Sequence, residues 1–211
     1  MKKRIEINNN VFWAHANKTL FWEELDALII SDLHLGKASH FQKSGLPIPA
    51  ILGHEDLNQI AKIIFDQNPS QVIFLGDLFH SKQNEEWSWF IKWMDHFPKV
   101  KFTLVEGNHD RSIIAILPKN LKATDLLEHQ GVLLTHEPLS KIEKDKFNIA
   151  GHIHPGAILK GRGRQSIKLP CFWKVKNQLI MPAFGNLTGA VKMPAKKADI
   201  YAVFEDEIFK V

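Results

Sequence analysis

The chain has 211 residues, of which 45% are hydrophobic and 24% charged, proportions typical of a globular protein that buries a core without cross-links. Its net charge of +4 permits a polyanionic partner but does not require one. A single cysteine excludes an intrachain disulfide, the basic start lacks the apolar run of a signal peptide, and no segment approaches the ~20 apolar residues of a membrane span. We therefore expect a cytoplasmic protein with no membrane partner.

The predicted elements change in character along the chain. Residues 11–25 predict a β-hairpin, because aromatic and polar residues flank an Ala-Asn turn. Short apolar runs then predict buried strands, and two stretches with helical spacing predict amphipathic helices. The predicted strands are 27–31, 71–76, 101–107, 131–136 and 147–152, the predicted helices are 53–67 and 85–97, and the final strands fall within 166–175, 178–185 and 200–211.

This order favours two packed sheets with helices outside them. The first half alternates strand and helix, whereas the second half is mostly strand. No repeat, linker or shift in composition divides the chain, so we predict one domain spanning residues 1–211.

Polar side chains follow the predicted strands at their carboxyl ends, where ligands bind in open α/β sheets. Carboxylate, amide and imidazole groups without thiolates suit Mn, Fe or Zn, and seven such groups suit two ions better than one tetrahedral ion. Two ions polarise phosphoryl oxygens and activate water for in-line attack on phosphorus. The candidate ligands are Asp32, His34, Asp77, Asn108, His136, His152 and His154.

The spacing of these residues also suggests how they converge. Asp32 and His34 are two positions apart, as are His152 and His154, so each pair would share a face of an ideal strand. Each motif alone is weak in a chain with eleven histidines, but five together are not expected by chance. A scaffold that has lost its metal is the main alternative.

The motifs DLH, GD, GNHD, TH and GHIH, in that order between residues 32 and 154, resemble the calcineurin-like metallophosphoesterases. This resemblance implies an α/β fold, a four-layer αββα sandwich of two mixed β-sheets flanked by helices. The blocks DLHLGKASHFQKSGLPIP, GDLFHS, GHIHPG, LPCFW and PAFGNLTG resemble the ligase-associated DNA-damage-response phosphoesterases. That narrower resemblance implies a manganese-dependent endonuclease that cuts single-stranded DNA in repair, in association with DNA ligase, helicase and exonuclease proteins.

The resemblance also implies roles for individual residues. His109 would be the general acid that protonates the leaving oxygen, a task suited to a side chain whose ordinary pKa is near neutrality. Asp110 would orient or charge-stabilise His109, or would be a solvated loop carboxylate. One ion would be held by Asp32, His34, Asp77 and His154, and the other by Asp77, Asn108, His136 and His152, with Asp77 bridging. Manganese is the implied metal, with Fe or Zn as alternatives.

Several basic side chains are candidate substrate contacts. Arg111 would grip a phosphate or form a surface salt bridge. Lys37 and His80 would face the scissile phosphate or cap loops. The segment KGRGRQSIK, which contains Arg162 and Arg164, would contact a DNA backbone or form a solvated hairpin tip.

Other functions stay open at this point. A phosphatase or phosphodiesterase acting on a small phosphoester or a cyclic nucleotide would use the same site. The chain also resembles the lipid-precursor pyrophosphohydrolases, with which it shares DLHL and GDLF. That family has an Arg at the position of His109, which makes the resemblance weaker. Trp173 is predicted to lie either in the core or on the surface of a homodimer.

Overall fold

The computed structural model describes residues 1–43, 45, 51–80, 85–161, 163 and 165–211. Arg162 and Arg164 lie outside this set. None of the helices in the described ranges is long and apolar enough to cross a membrane.

The first sheet has seven strands that run in chain order from one edge to the other. They are β1 (Lys2–Ile7), β2 (Asn10–His15), β3 (Leu20–Trp22), β4 (Ala27–Ser31), β5 (Gln71–Leu75), β6 (Lys101–Val105) and β7 (Leu121–Thr124). The first four strands pair antiparallel, so β2 and β3 form the predicted hairpin. From β4 to β7 every pair is parallel.

The second sheet has nine strands and is also mixed. They are β8 (Leu127–His129), β9 (Val132–Thr135), β10 (Phe147–Ala150), β11 (Pro155–Lys160), β12 (Ser166–Val175), β13 (Gln178–Ile180), β14 (Val191–Lys192), β15 (Asp199–Phe204) and β16 (Glu207–Lys210). Strand β10 pairs parallel with β9 on one side and with β13 on the other. The hairpin of β15 and β16 adds to β12 in antiparallel register, as predicted for the last third of the chain.

In the described ranges, three α-helices connect strands of the first sheet: α1 (Lys37–Lys43), α2 (Ile51–Gln67) and α3 (Glu85–Met94). Two short 3-10 helices, Asp110–Ser112 and Ile114–Ile116, lie between β6 and β7. Helix α2 buries Leu57, Ile60 and Ile64, which helical spacing places on one face. That face packs with α3 on the outer side of the first sheet, against residues such as Phe74.

The main core lies between the two sheets. Ile73 and Leu75 of β5 face it, while the alternate residues Val72 and Phe74 face the helices. Since both faces of β5 are covered, almost its whole length is apolar, which is why the sequence shows a continuous run rather than an alternation. Two mixed sheets with few helices are therefore confirmed.

A smaller cluster lies on β11, β12 and β15 and includes Cys171 and Ala202. Cys171 is fully buried, and burial raises the pKa of its thiol to about 12, so it behaves as a packing residue. Trp173 is half-buried beside this cluster, and its indole N–H donates to the carbonyl oxygen of Pro194 at 2.8 Å.

Candidate metal centre

The candidate ligands meet because the carboxyl ends of parallel strands from both sheets point to one edge of the sandwich. In the first sheet, Asp32, Asp77 and Asn108 follow the adjacent parallel strands β4, β5 and β6. In the second sheet, His136 and His152 follow the adjacent parallel strands β9 and β10. All seven predicted ligands are therefore carried to the same edge.

The backbone at these positions is unusual. Asp32, His34, Asp77, His152 and His154 all have positive φ, between 48° and 65°. Non-glycine residues seldom adopt this left-handed conformation, and its cost is tolerated mainly at functional sites. The expectation that each two-residue pair shares the face of a strand is wrong, because β4 and β10 end before the pairs begin. Left-handed turns, not strand alternation, aim these side chains.

Two glycines allow the segments to approach closely. A Cβ on Gly151 would lie 1.9 Å from Ser31 Oγ and 2.5 Å from Asp32 Oδ2. A Cβ on Gly76 would lie 2.1 Å from His136 Nδ1, and its φ of +72° also suits glycine. Both positions therefore bring one sheet against the other at the centre of the site.

The first ligand group consists of Asp32, His34 and His154, whose ligand atoms lie within 4.8 Å of one another. His154 Nε2 is 3.1 Å from Asp32 Oδ1. Asp32 is fully buried, and its carboxylate accepts the hydroxyl of Ser31 at 2.5 Å and the backbone N–H of His152 at 3.0 Å. Burial lowers the pKa of His34 to about 4 despite the opposing carboxylates, so its imidazole is neutral and able to coordinate at neutral pH.

The second group consists of Asp77, His136 and His152, with the same 4.8 Å limit between ligand atoms. His136 Nε2 lies 3.1 Å from His152 Nδ1 and 3.2 Å from the amide oxygen of Asn108. The other ring nitrogen of His136, Nδ1, is 3.2 Å from the carbonyl oxygen of Leu75. When Nδ1–H donates to that carbonyl, Nε2 is left as a lone-pair donor for a metal.

Asp77 lies between the two groups. Its Oδ2 is 3.5 Å from His136 Nε2, 3.8 Å from His34 Nε2 and 4.0 Å from His109 Nε2. Burial opposes its ionisation, but His136, the backbone N–H of His109 and His34 outweigh that effect and lower the pKa to about 2. Asp77 is therefore ionised at neutral pH and within reach of ligands from both groups.

The donor set fits divalent cations. Both ring nitrogens of His34 are buried without a hydrogen-bond partner among the residues that the structure describes. Buried polar atoms left unpaired cost free energy, which a bound ion would recover. Facing ring nitrogens such as those of His136 and His152 also need either a shared proton or a common cation. Oxygen and imidazole donors of this kind suit Mn, Fe or Zn.

His109 lies at the rim of this centre. Its side chain is 39% exposed, its Nε2 approaches Asp77 Oδ2, and its backbone N–H donates to Asp77 Oδ1 at 3.1 Å. His109 is thus anchored through its backbone, while its ring is open to a substrate.

Asp110 is fully buried and is not a solvated loop carboxylate. Its two oxygens accept the backbone N–H groups of Phe79 at 3.2 Å and Gly107 at 3.0 Å. Burial raises its pKa to about 6, with these two hydrogen bonds opposing. No hydrogen bond or ion pair joins Asp110 to the ring of His109 in the described part of the chain, so any orienting effect acts through the backbone of the turn.

Lys37 and His80 both lie close to the ligands. The ring of His80 stacks on that of His109 with centroids 5.4 Å apart and packs edge-on against His34 at 5.7 Å. Burial lowers the pKa of Lys37, while Asp32 and Asp77 act in the opposite direction, which places its ammonium within the field of both carboxylates.

Arg111 is exposed beside an opening of about 350 Å³ that Asn108 and His136 also line. Burial and Asp125 raise the pKa of Glu106 in this opening, and Arg111 opposes the rise. Within the described ranges no acidic group lies close enough to Arg111 to form an ion pair, so the predicted salt bridge is not seen there.

The described residues of the basic segment 160–168 belong to the β11–β12 hairpin. Lys160 pairs with Ser166, and Gly161 N–H donates to the carbonyl oxygen of Gln165 at 2.9 Å. The hairpin is compatible with both interpretations of Arg162 and Arg164, which themselves lie outside the described residues.

Sequence reasoning missed the residues that support the ligands. Ser31 and the backbone of residues 184–185 hold Asp32 in place, the latter through Phe184 N–H to Ser31 O at 2.8 Å and Gly185 N–H to Asp32 O at 3.2 Å. A serine that ends an otherwise apolar strand was the only local signal for Ser31.

The fold and the two ligand groups define a metal-dependent phosphoesterase. The family model for the calcineurin-like phosphoesterases matches residues 25–165, and the chain belongs to that family. The resemblance noted in the motifs is therefore confirmed.

Solved structures give a narrower comparison. The structure of Pseudomonas putida nuclease MPE is similar over 100% of both chains, with 25% sequence identity and a TM-score of 0.81. Yfce, a phosphoesterase from E. coli, is similar over 88% of this chain and 97% of its own, with 14% identity and a TM-score of 0.46. Comparison with curated protein sequences finds no match.

Proposed function

We propose that this protein is a two-metal phosphodiesterase that cuts single-stranded DNA internally, with manganese as its metal. The observation that carries the proposal is the meeting of two ligand groups around Asp77, with an open imidazole, His109, at their rim. The same centre would serve phosphate esters in general. The choice of DNA rests on the similarity to a nuclease over the whole length of both chains.

The residues present would hold one ion with Asp32, His34 and His154 and the other with Asn108, His136 and His152, and Asp77 would contact both. When bound, such a pair of ions polarises phosphoryl oxygens and makes water a stronger nucleophile.

The chain's own groups complete the reaction. His109 would protonate the leaving oxygen as its bond to phosphorus breaks, because its ring is exposed while its backbone is fixed to Asp77. His80 restricts the His109 ring by stacking on it. Lys37 lies near His34 of the first group and Arg111 near Asn108 and His136 of the second, and both would contact non-bridging oxygens of the substrate phosphate.

The test is a matrix of metals and substrates. Metal-free protein is supplied with Mn, Fe, Zn or Mg and given circular single-stranded DNA, supercoiled plasmid, a linear oligonucleotide or a small aryl phosphate. We expect cleavage of the circular single strand, which has no ends, and the highest rate with Mn. Asp77→Ala serves as the inactive control.

Each other pattern has a defined meaning. Turnover of the aryl phosphate with no cleavage of any DNA would replace the proposal with a small-substrate phosphoesterase. Cleavage of the linear oligonucleotide alone would make the enzyme an exonuclease. Absence of bound metal and of all turnover would favour a scaffold.

A further inference from the structure

Outside the ligand groups, a polar cluster centred on the buried Asp56 joins three distant parts of the chain near Asp32. It consists of Lys18 in the β2–β3 turn, Asp56 on α2 and Asn186 in the segment after β13. Lys18 Nζ donates to the carbonyl oxygen of Phe184 at 2.5 Å, and Asn186 Nδ2 donates to Asp56 Oδ1 at 2.7 Å. Two different elements thus hold residues 184–188, here called the support loop.

Burial disfavours the charged forms of both Lys18 and Asp56. Asp56 is only 6% exposed, and burial raises its pKa to about 6, with Lys18 and Asn186 opposing. Burial also lowers the pKa of Lys18, and Asp56 opposes that change. Among the described residues no salt bridge joins Lys18 to Asp56, and their polar contacts go to the support loop instead. Burying such charges contributes little net stability, so a positional role is the better explanation.

The support loop contacts the end of β4, which carries the first ligand group. Its backbone N–H groups donate to Ser31 O and Asp32 O. At Gly185 the approach is so close that a Cβ would lie 2.5 Å from Leu33 O. The support loop, which the cluster holds, is therefore in close backbone contact with the left-handed turn at Asp32.

Asp56 also lines a small cavity together with His34, Lys37 and Thr188 of the support loop. The cluster thus reaches both the backbone of one ligand, Asp32, and the surroundings of another, His34. The second group has separate supports: His136 is fixed by Leu75 O, and the strand before it by the buried amide of Asn148, which donates to Thr135 Oγ1.

We propose that Lys18, Asp56 and Asn186 are positioning residues that hold the support loop against the Asp32 turn and thereby set the affinity of the first ligand group for its ion. The proposal rests on the proposed two-metal function. It assigns no contact with substrate to any of the three residues.

The test is calorimetric titration of metal-free protein with Mn²⁺ alone, together with the melting temperature of each variant. Asn186→Ala is the first choice, because Asn186 is itself exposed and its removal leaves no cavity. Lys18→Met removes the charge and should weaken binding of the same ion. Lys18→Arg keeps the charge and should bind Mn²⁺ as the wild type does. Altered supporting partners typically change metal affinity by 10–100-fold, so we expect one Mn²⁺ to weaken by about that factor and the other by less than about 3-fold.

Asn8→Ala is the matched control. The Asn8 amide also joins two segments, donating to Gly131 O and Asp145 O, but at the opposite ends of β9 and β10. Asn8→Ala should lower the melting temperature and leave both affinities unchanged. In a His154→Ala background, where the first group is already broken, Asn186→Ala should have no further effect on the ion that remains.

The outcomes separate this inference from the proposed function. Lower melting temperatures with both Mn²⁺ affinities unchanged, or an equal loss at both sites, would overturn the positioning role. Two bound ions in the wild type with the selective loss in Asn186→Ala, but no DNA cleavage, would overturn the proposed substrate and leave the inference standing. A wild type that binds no Mn²⁺ would overturn both.

Discussion

Replacing His109 with alanine tests whether the imidazole acts as an acid or as a metal ligand. The substitution removes a ring that is 39% exposed and keeps the backbone N–H that donates to Asp77 Oδ1 at 3.1 Å. Because that anchor survives and the ring is at the rim, we expect a change of less than about 1 kcal/mol in the free energy of unfolding. We also expect metal content to stay at the wild-type level.

The cost to catalysis follows from the leaving group. A DNA strand departs as a strongly basic alkoxide, and general acid catalysis of such a step contributes about 10²- to 10⁴-fold, or ~3–5 kcal/mol of transition-state stabilisation. An aryl phosphodiester releases a weakly basic phenolate that needs little protonation. We therefore expect His109→Ala to slow oligonucleotide cleavage by that factor and aryl ester hydrolysis by no more than about 10-fold.

The assay measures single-turnover rates on both substrates, with elemental analysis of the same protein samples. His96→Ala is the control, since His96 is exposed and its Nδ1 contacts only the carbonyl oxygen of Lys92 among the hydrogen bonds of the described residues. Equal slowing on the two substrates would refute the role of His109 as an acid. Loss of a metal ion along with activity would show that it is a ligand instead.

Three further predictions concern other parts of the chain. Asp77→Ala should empty at least one metal site, because Asp77 lies within 4 Å of ring nitrogens from both groups, and two retained ions by elemental analysis would contradict this. Arg162→Gln with Arg164→Gln should weaken oligonucleotide binding and reduce the slope of log affinity against log salt; an unchanged slope would leave them as a solvated hairpin tip. In metal-free protein, the raised pKa of Asp56 means that folding disfavours its ionised form. The free energy of unfolding should therefore fall by roughly 3 kcal/mol as pH rises from about 4 to 6, a fall that denaturant titrations should not find in Asp56→Asn.

Much of the sheet architecture was predictable because buried parallel strands need continuous apolar runs. The predicted strands 27–31 and 71–76 have this character, and they are the central strands β4 and β5. Elements without a distinct period were missed. Strand β1 lies at a sheet edge and buries only two of its six residues, and α1 has seven residues, too few to show a helical period.

The ligand set was predictable for a chemical reason, whereas its geometry was not. Residues that end parallel strands must meet at one edge, so the sequence order of Asp32, Asp77 and Asn108 was enough to place them together. The positive φ of Asp32 and His34 has no such signal, because aspartate and histidine occur in many conformations. The sequence therefore predicted which ligands lie close together, but it predicted an extended backbone at Asp32 and His34 where the structure has left-handed turns.

The contacts of Asp110 were also not predictable from the sequence. Its position after His109 suggested either a partner for the imidazole or a solvated carboxylate. The structure instead buries it against the N–H groups of Phe79 and Gly107, because the turn must be tied to the loop that follows β5. Adjacency in sequence does not reveal which backbone groups a buried carboxylate must satisfy.

The sequence by itself determined the kinds of ligand, their order along the chain and the family, since donor chemistry and strand patterning are local properties. Only the tertiary structure decided how the ligands divide into two groups and what supports them. The deciding contacts join residues far apart in the chain: 120 positions between Asp32 and His152, 130 between Asp56 and Asn186, and 166 between Lys18 and Phe184. Such contacts form only when the two sheets and α2 close on one another, so no local pattern records them.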